Sequence, residues 1–294
     1  MQAMTGDEKV EQYQEIRGRL FALAYRMLGT RDDAEEIVQE TYIKWHQADS
    51  AAIESPEAWL VTVATRLSID RLRKAYMQRE TYIGPWLPEP LLDSGQASPQ
   101  DDMELASSLS TAFMVMLERL SPAERAVFLL HDVFDLGYAE IARIMDKAEP
   151  AVRQMLHRAR TRVRTDKPRY RPDPEQHRLL VERFSVAAYT ADESALLELF
   201  SPDIRVTSDG GGKITAARKI ITGVGRIIRL FTIAVSGHAD RITREIAEIN
   251  GEPGVVEYYD GEIFAVNTFE TTPDGRIAAI YRMMNPDKLK AFKK

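Results

Sequence analysis

Residues 150–160 read Pro-Ala-Val-Arg-Gln-Met-Leu-His-Arg-Ala-Arg. At helical spacing Val152, Leu156 and Ala159 share one face, which leaves Arg153, Gln154, His157, Arg158 and Arg160 facing outward. Those side chains suit one kind of chemistry. Arginine can take guanine bidentately and glutamine can do the same for adenine in a major groove, while further bases neutralise phosphates. A second basic stretch, Arg66 to Arg79, includes Arg66, Arg71, Arg73 and Lys74 and sets five bases against Asp70, which is expected to orient its neighbours. Between Arg31 and Glu40 the balance reverses, with Asp32, Asp33, Glu35, Glu36 and Glu40 against one arginine and Gln39 among them. Acidic and basic blocks in alternation imply two kinds of partner, one basic and one polyanionic.

Catalytic chemistry is harder to assemble. Asp209, His238 and Asp260 are the conceivable acid–base groups, yet no pair stands at a telling spacing, and an aspartate before glycine is usually a turn residue. There is no cysteine and only five scattered histidines, so no metal or other cofactor is expected. Gly210-Gly211-Gly212-Lys213 lacks the spacing of a phosphate-binding P-loop, and taken alone reads as a glycine turn. The reading is of a binding protein rather than an enzyme.

The elements that position these residues follow from periodicity. Tyr13, Ile16, Leu20, Leu23, Ala24 and Met27 recur at helical spacing up to Gly29. Thr30 is the expected cap of the next helix, with Asp33 in its first turn and an apolar stripe of Ile37, Val38, Tyr42, Ile43 and Trp45. Ser55-Pro56-Glu57 opens a third helix carrying Trp59, Leu60, Val63, Leu67 and Ile69, on whose apolar face Trp59 reads as core. Ser121-Pro122-Ala123-Glu124 matches a capping box. Tyr138–Met145 is a short helix followed by a tight turn, in which Asp146 stands where glycine is frequent, and then by the basic helix. These are the parts of a helix-turn-helix.

The chain of 294 residues has room for two or three domains. Its 44% hydrophobic and 29% charged residues are ordinary for a globular protein. No apolar run is long enough to span a membrane and the polar amino terminus has no signal-peptide core, so a cytoplasmic protein is expected. Four blocks are expected: helices over 8–80, a Pro-rich linker over 81–102, helices over 103–168, and an α+β domain over 175–294. In the last, Asn250-Gly251, Asp260-Gly261 and Asp274-Gly275 mark hairpins between strands at 204–208, 242–249, 255–259, 263–270 and 276–283. The linker is odd. It carries Trp86, Leu87, Leu91 and Leu92 among prolines, and apolar residues in a linker call for something to cover them.

The order of these parts resembles the extracytoplasmic-function (ECF) sigma factors of bacterial RNA polymerase. Asp32–Tyr42, Ala58-Trp59-Leu60 and Asp70–Lys74 look like their second region, and Leu120–Arg125 with the helix-turn-helix like their fourth. The resemblance implies that Asp32, Asp33, Glu36, Gln39 and Glu40 bind the polymerase core. It implies further that Arg66, Asp70, Arg71, Arg73 and Lys74 meet the −10 element, beside a base-capturing loop over 47–55. Arg153, Gln154, His157, Arg158 and Arg160 would then meet the −35 element. The third block resembles the SnoaL-like branch of the NTF2-like fold, a cone of helices and a curved, mainly antiparallel sheet with an apolar interior. Three stretches look like the signature of ECF sigma factors with such an extension: Trp86-Leu87-Pro88-Glu89-Pro90, Asp209-Gly210-Gly211-Gly212-Lys213 and Asn285-Pro286-Asp287-Lys288-Leu289. This implies that the extension regulates activity from within the chain, through the linker, so that no separate anti-sigma factor is required. It also leaves room for a small apolar ligand in the cone. The alternatives are a helix-turn-helix regulator with a ligand-sensing domain, and a SnoaL-like enzyme fused to a DNA-binding module.

Overall fold

A computed structural model describes residues 5–92, 110–164, 173–235 and 239–292. The chain divides into two units. Among the described residues the first comprises 5–80 and 116–164, and the second 81–92, 110–115, 173–235 and 239–292.

The first unit is all helix. α1 (Gly6–Leu28) is closed by Thr5 and Glu8 in a capping box and stopped by Gly29 at φ 76°, a left-handed conformation that favours glycine. α2 (Arg31–Gln47) and α3 (Pro56–Arg79) pack on it. Two expectations change here. Thr30 makes no side-chain cap bond and instead donates its hydroxyl to Asp33 at 2.6 Å. Ile43 is exposed, because the buried face of α2 is Ala34, Ile37, Val38, Thr41 and Trp45, and Ile43 lies about 200° round the helix from Thr41. Trp45 is fully buried and donates its indole N–H to the Lys9 carbonyl at 2.8 Å.

α4 (Thr111–Leu117) begins in the second unit and ends in the first. α5 (Pro122–Asp132) has the capping box expected of Ser121 and Glu124. α6 (Tyr138–Met145) ends on Asp146 at φ 52°, so aspartate takes the left-handed turn position unaided by glycine, and α7 (Glu149–Arg164) follows. Val152, Leu156 and Ala159 are buried as their spacing required.

In the second unit, α8 (Pro174–Tyr189) and α9 (Glu193–Leu199) precede a six-stranded sheet with α10 (Val224–Val235) inserted. The strands are β1 (Phe200–Asp209), β2 (Ile221–Thr222), β3 (Ile242–Ile249), β4 (Glu252–Tyr259), β5 (Glu262–Thr271) and β6 (Ile277–Met283). Their spatial order is β2-β1-β6-β5-β4-β3, antiparallel throughout except β1 with β6. Register shifts within three of the pairs bend the sheet. Asn250-Gly251 and Asp260-Gly261 have positive φ at both residues, the turn that matches strand twist. This is the α+β architecture, helices on a bent and mainly antiparallel sheet, expected of the third block. β2 and α10 lie in the stretch between 208 and 242 where no strand was expected.

Both faces of the sheet are covered. On one, Phe184 of α8 meets Phe231 of α10 edge-on at 5.1 Å and Phe269 of β5 at 4.9 Å, within a core that includes Leu196, Ile227 and Val255. That side is not wholly apolar, contrary to expectation. Glu257 is buried there and accepts from Arg282 at 2.6 Å and Arg244 at 3.1 Å, while Arg282 also donates to Asn267 at 2.8 Å. Burial alone would push the Glu257 carboxyl up, but the two guanidiniums outweigh it and hold it below the usual range.

Because its folded-state pKa is depressed, Glu257 contributes stability that is fully present above its unfolded pKa of about 4.3 and is lost as pH falls through the lower folded value. Glu257→Ala strands two buried guanidiniums and is expected to cost about 3–5 kcal/mol in urea unfolding at pH 7. The difference from the parent chain should shrink as the pH is taken below about 4.

Candidate functional site

The linker supplies the first site. Its Leu87, Pro88, Glu89, Pro90 and Leu91 are buried, Leu87 with only 1% of its surface exposed. Leu87 joins Val256, Val266, Ala279, Tyr281 and Leu289 on the sheet face opposite the helices. Burying one such leucine contributes roughly 1.5–3 kcal/mol. Further along, Leu91 donates its N–H to Asn250 Oδ1 at 2.8 Å and accepts from Asn250 N–H at 2.9 Å, and Leu92 bridges Ile249 on the edge strand β3. The linker thus pairs with an edge that would otherwise offer unpaired backbone.

A buried carboxylate holds the other end. Asp209, fully buried at the end of β1, accepts from Tyr82 Oη at 2.5 Å, Leu87 N–H at 2.9 Å, Gly211 N–H at 3.0 Å and Lys288 Nζ at 2.8 Å. Lys288 also donates to the Leu87 carbonyl at 2.6 Å and lies 4.1 Å from the centre of the Trp86 ring, a cation–π contact. Asn285 donates to Tyr82 Oη at 2.9 Å. Burial, and then the Asp209 hydrogen bond and charge, push the Tyr82 hydroxyl well above the usual tyrosine range, so it stays a donor. The glycines are required by space: a Cβ on Gly210 would come within 2.6 Å of the Ile214 carbonyl oxygen, and one on Gly211 within 2.4 Å of Asn285. Gly211 and Gly212 also have φ of 61° and 72°. Lys213 pairs with Asp287 at 2.6 Å, in the open. The three stretches singled out in the sequence therefore meet at one point, together with Tyr82, which was not among the expected residues.

In the first unit the expected binding sets are partly tied to one another. Asp32, Gln39 and Glu40 are exposed on α2, with Glu40 facing Lys44 at 3.6 Å. Asp33 and Glu36 each lie 2.6 Å from Arg71 of α3, so an acidic and a basic set meet at one guanidinium. Asp70 takes Arg73 at 3.0 Å, as an orienting acid would, and Lys74 is exposed. Arg66 donates to the carbonyls of Ile144 at 2.9 Å and Arg143 at 3.3 Å, at the end of α6. Beside it a cleft of about 650 Å³ is lined by Asp49, Ile53, Trp59, Val63, Arg66 and Arg143. Trp59 is half-buried, packed against Trp45 at 5.5 Å yet facing this cleft.

On α7, Arg153, Gln154, His157, Arg158 and Arg160 are all exposed. Arg153 lies over the Tyr138 ring at 4.4 Å, Arg158 reaches Glu124 at 3.1 Å, and Arg160 reaches Asp132 at 3.0 Å. Arg162, which periodicity did not single out, also pairs with Glu124. Between the helix sets, Arg125 is buried completely and donates to the Met27 carbonyl at 2.8 Å and to Tyr76 at 3.1 Å, with Glu118 as counter-ion to it and to Arg79.

The catalytic candidates do not form a site. Asp209 is saturated by donors, Asp260 pairs with Arg241 at an exposed turn, and His238 lies outside the described residues. Among the described residues no cluster of acids, histidines or cysteines is placed to hold a metal, and no helix is long and apolar enough to cross a membrane.

Comparison with known proteins bears on the whole arrangement. Residues 12–76 match the family model of sigma-70 region 2, and residues 110–163 that of sigma-70 region 4. The ECF RNA polymerase sigma factor SigJ of Mycobacterium tuberculosis is 34% identical over 293 residues, covering 95% of this chain and 93% of that protein. The chain belongs to the ECF RNA polymerase sigma factors. A probable ECF sigma factor SigI from the same species is 30% identical over 281 residues, 93% of this chain and 92% of that one. The crystal structure of M. tuberculosis SigJ aligns with a TM-score of 0.75 at 33% identity, over 95% of this chain and 98% of that one. As an ECF sigma factor the chain binds RNA polymerase and directs transcription initiation. It is not itself an enzyme.

The two lysine–aspartate pairs beside the glycine loop provide an internal contrast. Lys288→Ala in this sigma factor leaves buried Asp209 without its counter-ion and is expected to cost about 3–5 kcal/mol in urea unfolding. Lys213→Ala breaks an exposed pair and should cost less than about 1 kcal/mol.

Proposed function

We propose that this sigma factor is regulated by its own C-terminal domain, which clasps the chain joining regions 2 and 4. The observation that carries the reading is buried Asp209, bonded at once to Tyr82 and Leu87 of the linker, to its own glycine loop and to Lys288 of the C-terminal segment. Fastening residues 82–92 to the domain shortens the span available between regions 2 and 4. Control of that span is control of how far the two DNA-binding regions can part. In this reading no separate anti-sigma factor is required, and the protein works on polymerase in the cytoplasm. An apolar ligand in the cone fits poorly, since the buried Glu257 with its two guanidiniums faces that interior.

Within regions 2 and 4 the proposed contacts follow the exposed sets. Asp32, Glu36, Gln39 and Glu40 meet the polymerase core, with Asp33 in support. Arg71, Arg73 and Lys74, with Asp70, flank the −10 element, and Trp59 and the 47–55 segment border the cleft that would take an unstacked base. Arg153, Gln154, His157, Arg158 and Arg160 face the −35 element. Arg66 is engaged with the end of α6, so its use on DNA requires region 4 to move away.

Limited proteolysis and promoter output test the clasp. Asp209→Ala and Trp86→Ala are expected to speed cleavage within 82–92 severalfold and to change transcription by reconstituted holoenzyme. If both variants match the parent in both assays, the clasp is not regulatory. Co-elution of the full chain with core polymerase tests the docking face separately. Asp32→Lys/Glu36→Lys should weaken it by more than tenfold, a loss of about 1.4 kcal/mol or more.

A further inference from the structure

The second unit carries a charge asymmetry that none of the roles above uses. Between Asp209 and Asp240 the chain has five bases, Lys213, Arg218, Lys219, Arg226 and Arg229, and no acid, in a protein of net charge −6. Lys213 is paired with Asp287. The other four are exposed, and among the described residues none of them makes an ion pair or a side-chain hydrogen bond. Elsewhere in this unit the exposed arginines have acids: Arg178 with Glu248, Arg183 with Glu198, Arg241 with Asp260 and Arg276 with Asp274.

The four lie close along the chain and on one border of the fold. Arg218 and Lys219 lie three and two residues before β2, the terminal strand in the sheet order, and Arg226 and Arg229 are one turn apart on α10, which packs on β2. Gly223, Val224, Gly225, Arg226 and Arg229 line a concavity of about 470 Å³. At Gly223 and Gly225 an added Cβ would meet nothing within 4 Å, so the backbone there is open to solvent. Clustered, unpaired, exposed cations against an overall negative protein are the footprint of a polyanion. Backbone phosphates ask for charge and reach, not for a shaped pocket.

We propose that Arg218, Lys219, Arg226 and Arg229 form a further DNA-contacting surface, on the C-terminal domain, which engages the phosphate backbone of duplex DNA without reading bases. It adds affinity and orientation to a complex whose sequence choice is made elsewhere, and it stands independently of the clasp.

The test is fluorescence anisotropy of the full-length chain on a labelled 40-bp duplex of arbitrary sequence, with potassium chloride varied upward from low salt. Each phosphate contact contributes about 0.9 to the slope of log K against log salt. The fourfold variant Arg218→Ala/Lys219→Ala/Arg226→Ala/Arg229→Ala is expected to bind at least tenfold more weakly at low salt, with a slope shallower by about 2–4. A charge-matched control, Arg178→Ala/Arg183→Ala/Arg241→Ala/Arg276→Ala, should stay near the parent. Thermal unfolding is expected to be nearly unchanged in the fourfold variant, because the replaced side chains are exposed and, among the described residues, make no ion pair or side-chain hydrogen bond. Absence of measurable binding by the parent chain overturns the proposal, as does equal binding by parent and variant. Equal loss in variant and control would mean only a general field, and also overturns it. Loss of co-elution with core polymerase at an unchanged DNA slope would assign the surface to an acidic protein instead.

Discussion

A carboxylate sealed from water needs its full complement of donors, and Asp209 draws four of them from three segments. Tyr82 and Leu87 belong to the linker, Gly211 to the loop beyond β1, and Lys288 to the C-terminal segment. An unpaired buried charge is far more costly than a lost contact between neutral groups, so these segments are held to one another cooperatively. The glycines, the asparagine and the lysine around it are consequences. Gly210 and Gly211 allow the chain to pass where a side chain would collide, and Asn285 aligns the tyrosine that Asp209 needs. The same polar knot sets Lys288 over the Trp86 ring and Leu87 in the apolar cluster of the sheet face.

Regions 2 and 4 use charge differently. Arg125, Arg79 and Glu118 lie at the junction of their helices, and Arg66 caps the carbonyl end of α6. Ion pairs of this kind hold geometry firmly while shut, yet give back much of their energy to hydration when opened, because water solvates each partner well. An all-apolar junction would not. Arg71, Arg158 and Arg160 likewise pair with acids of their own chain, and such exposed pairs open without uncovering hydrophobic surface. Of the α7 arginines, Arg158, Arg160 and Arg162 pair with acids of α5, and Arg153 with Glu149 of α7 itself.

The C-terminal domain sets a buried ion group beside an apolar core. The face enclosed by α8 and α10 holds an aromatic cluster and, beside it, Glu257 with Arg282, Arg244 and Asn267. Arg282 also lies over the rings of Phe231 and Phe264 at 5.7 and 5.6 Å. A group placed that way braces strands β3 to β6 against the helix layer. The opposite face has become the seat of the linker.

Periodicity, capping residues and hairpin dipeptides are local properties, and they were enough to place the helices of regions 2 and 4 and the five longer strands. Asx-Gly turns and Ser-Pro helix starts act within a few residues, so no distant contact is needed to read them. The motif residues Trp86–Pro90, Asp209–Lys213 and Asn285–Leu289 were also legible as unusual. Their meeting point was not. Tyr82 escaped notice because a lone tyrosine in a linker has no periodic signature. The resemblance implied an apolar interior for the cone, and strand alternation could not correct it, because alternation shows which residues are buried together, not which of them pair as ions. Ile43 was misplaced for the same reason, since a stripe read from sequence does not say which of its edges meets a neighbour. What was legible in the chain by itself was most of the elements, though not β2 or α10, and their chemistry. Which charge meets which is a three-dimensional fact, and it decided that Asp209 would gather Tyr82, Leu87, Gly211 and Lys288, that Arg66 would hold the end of α6, and that Arg218 to Arg229 would find no acid among the described residues.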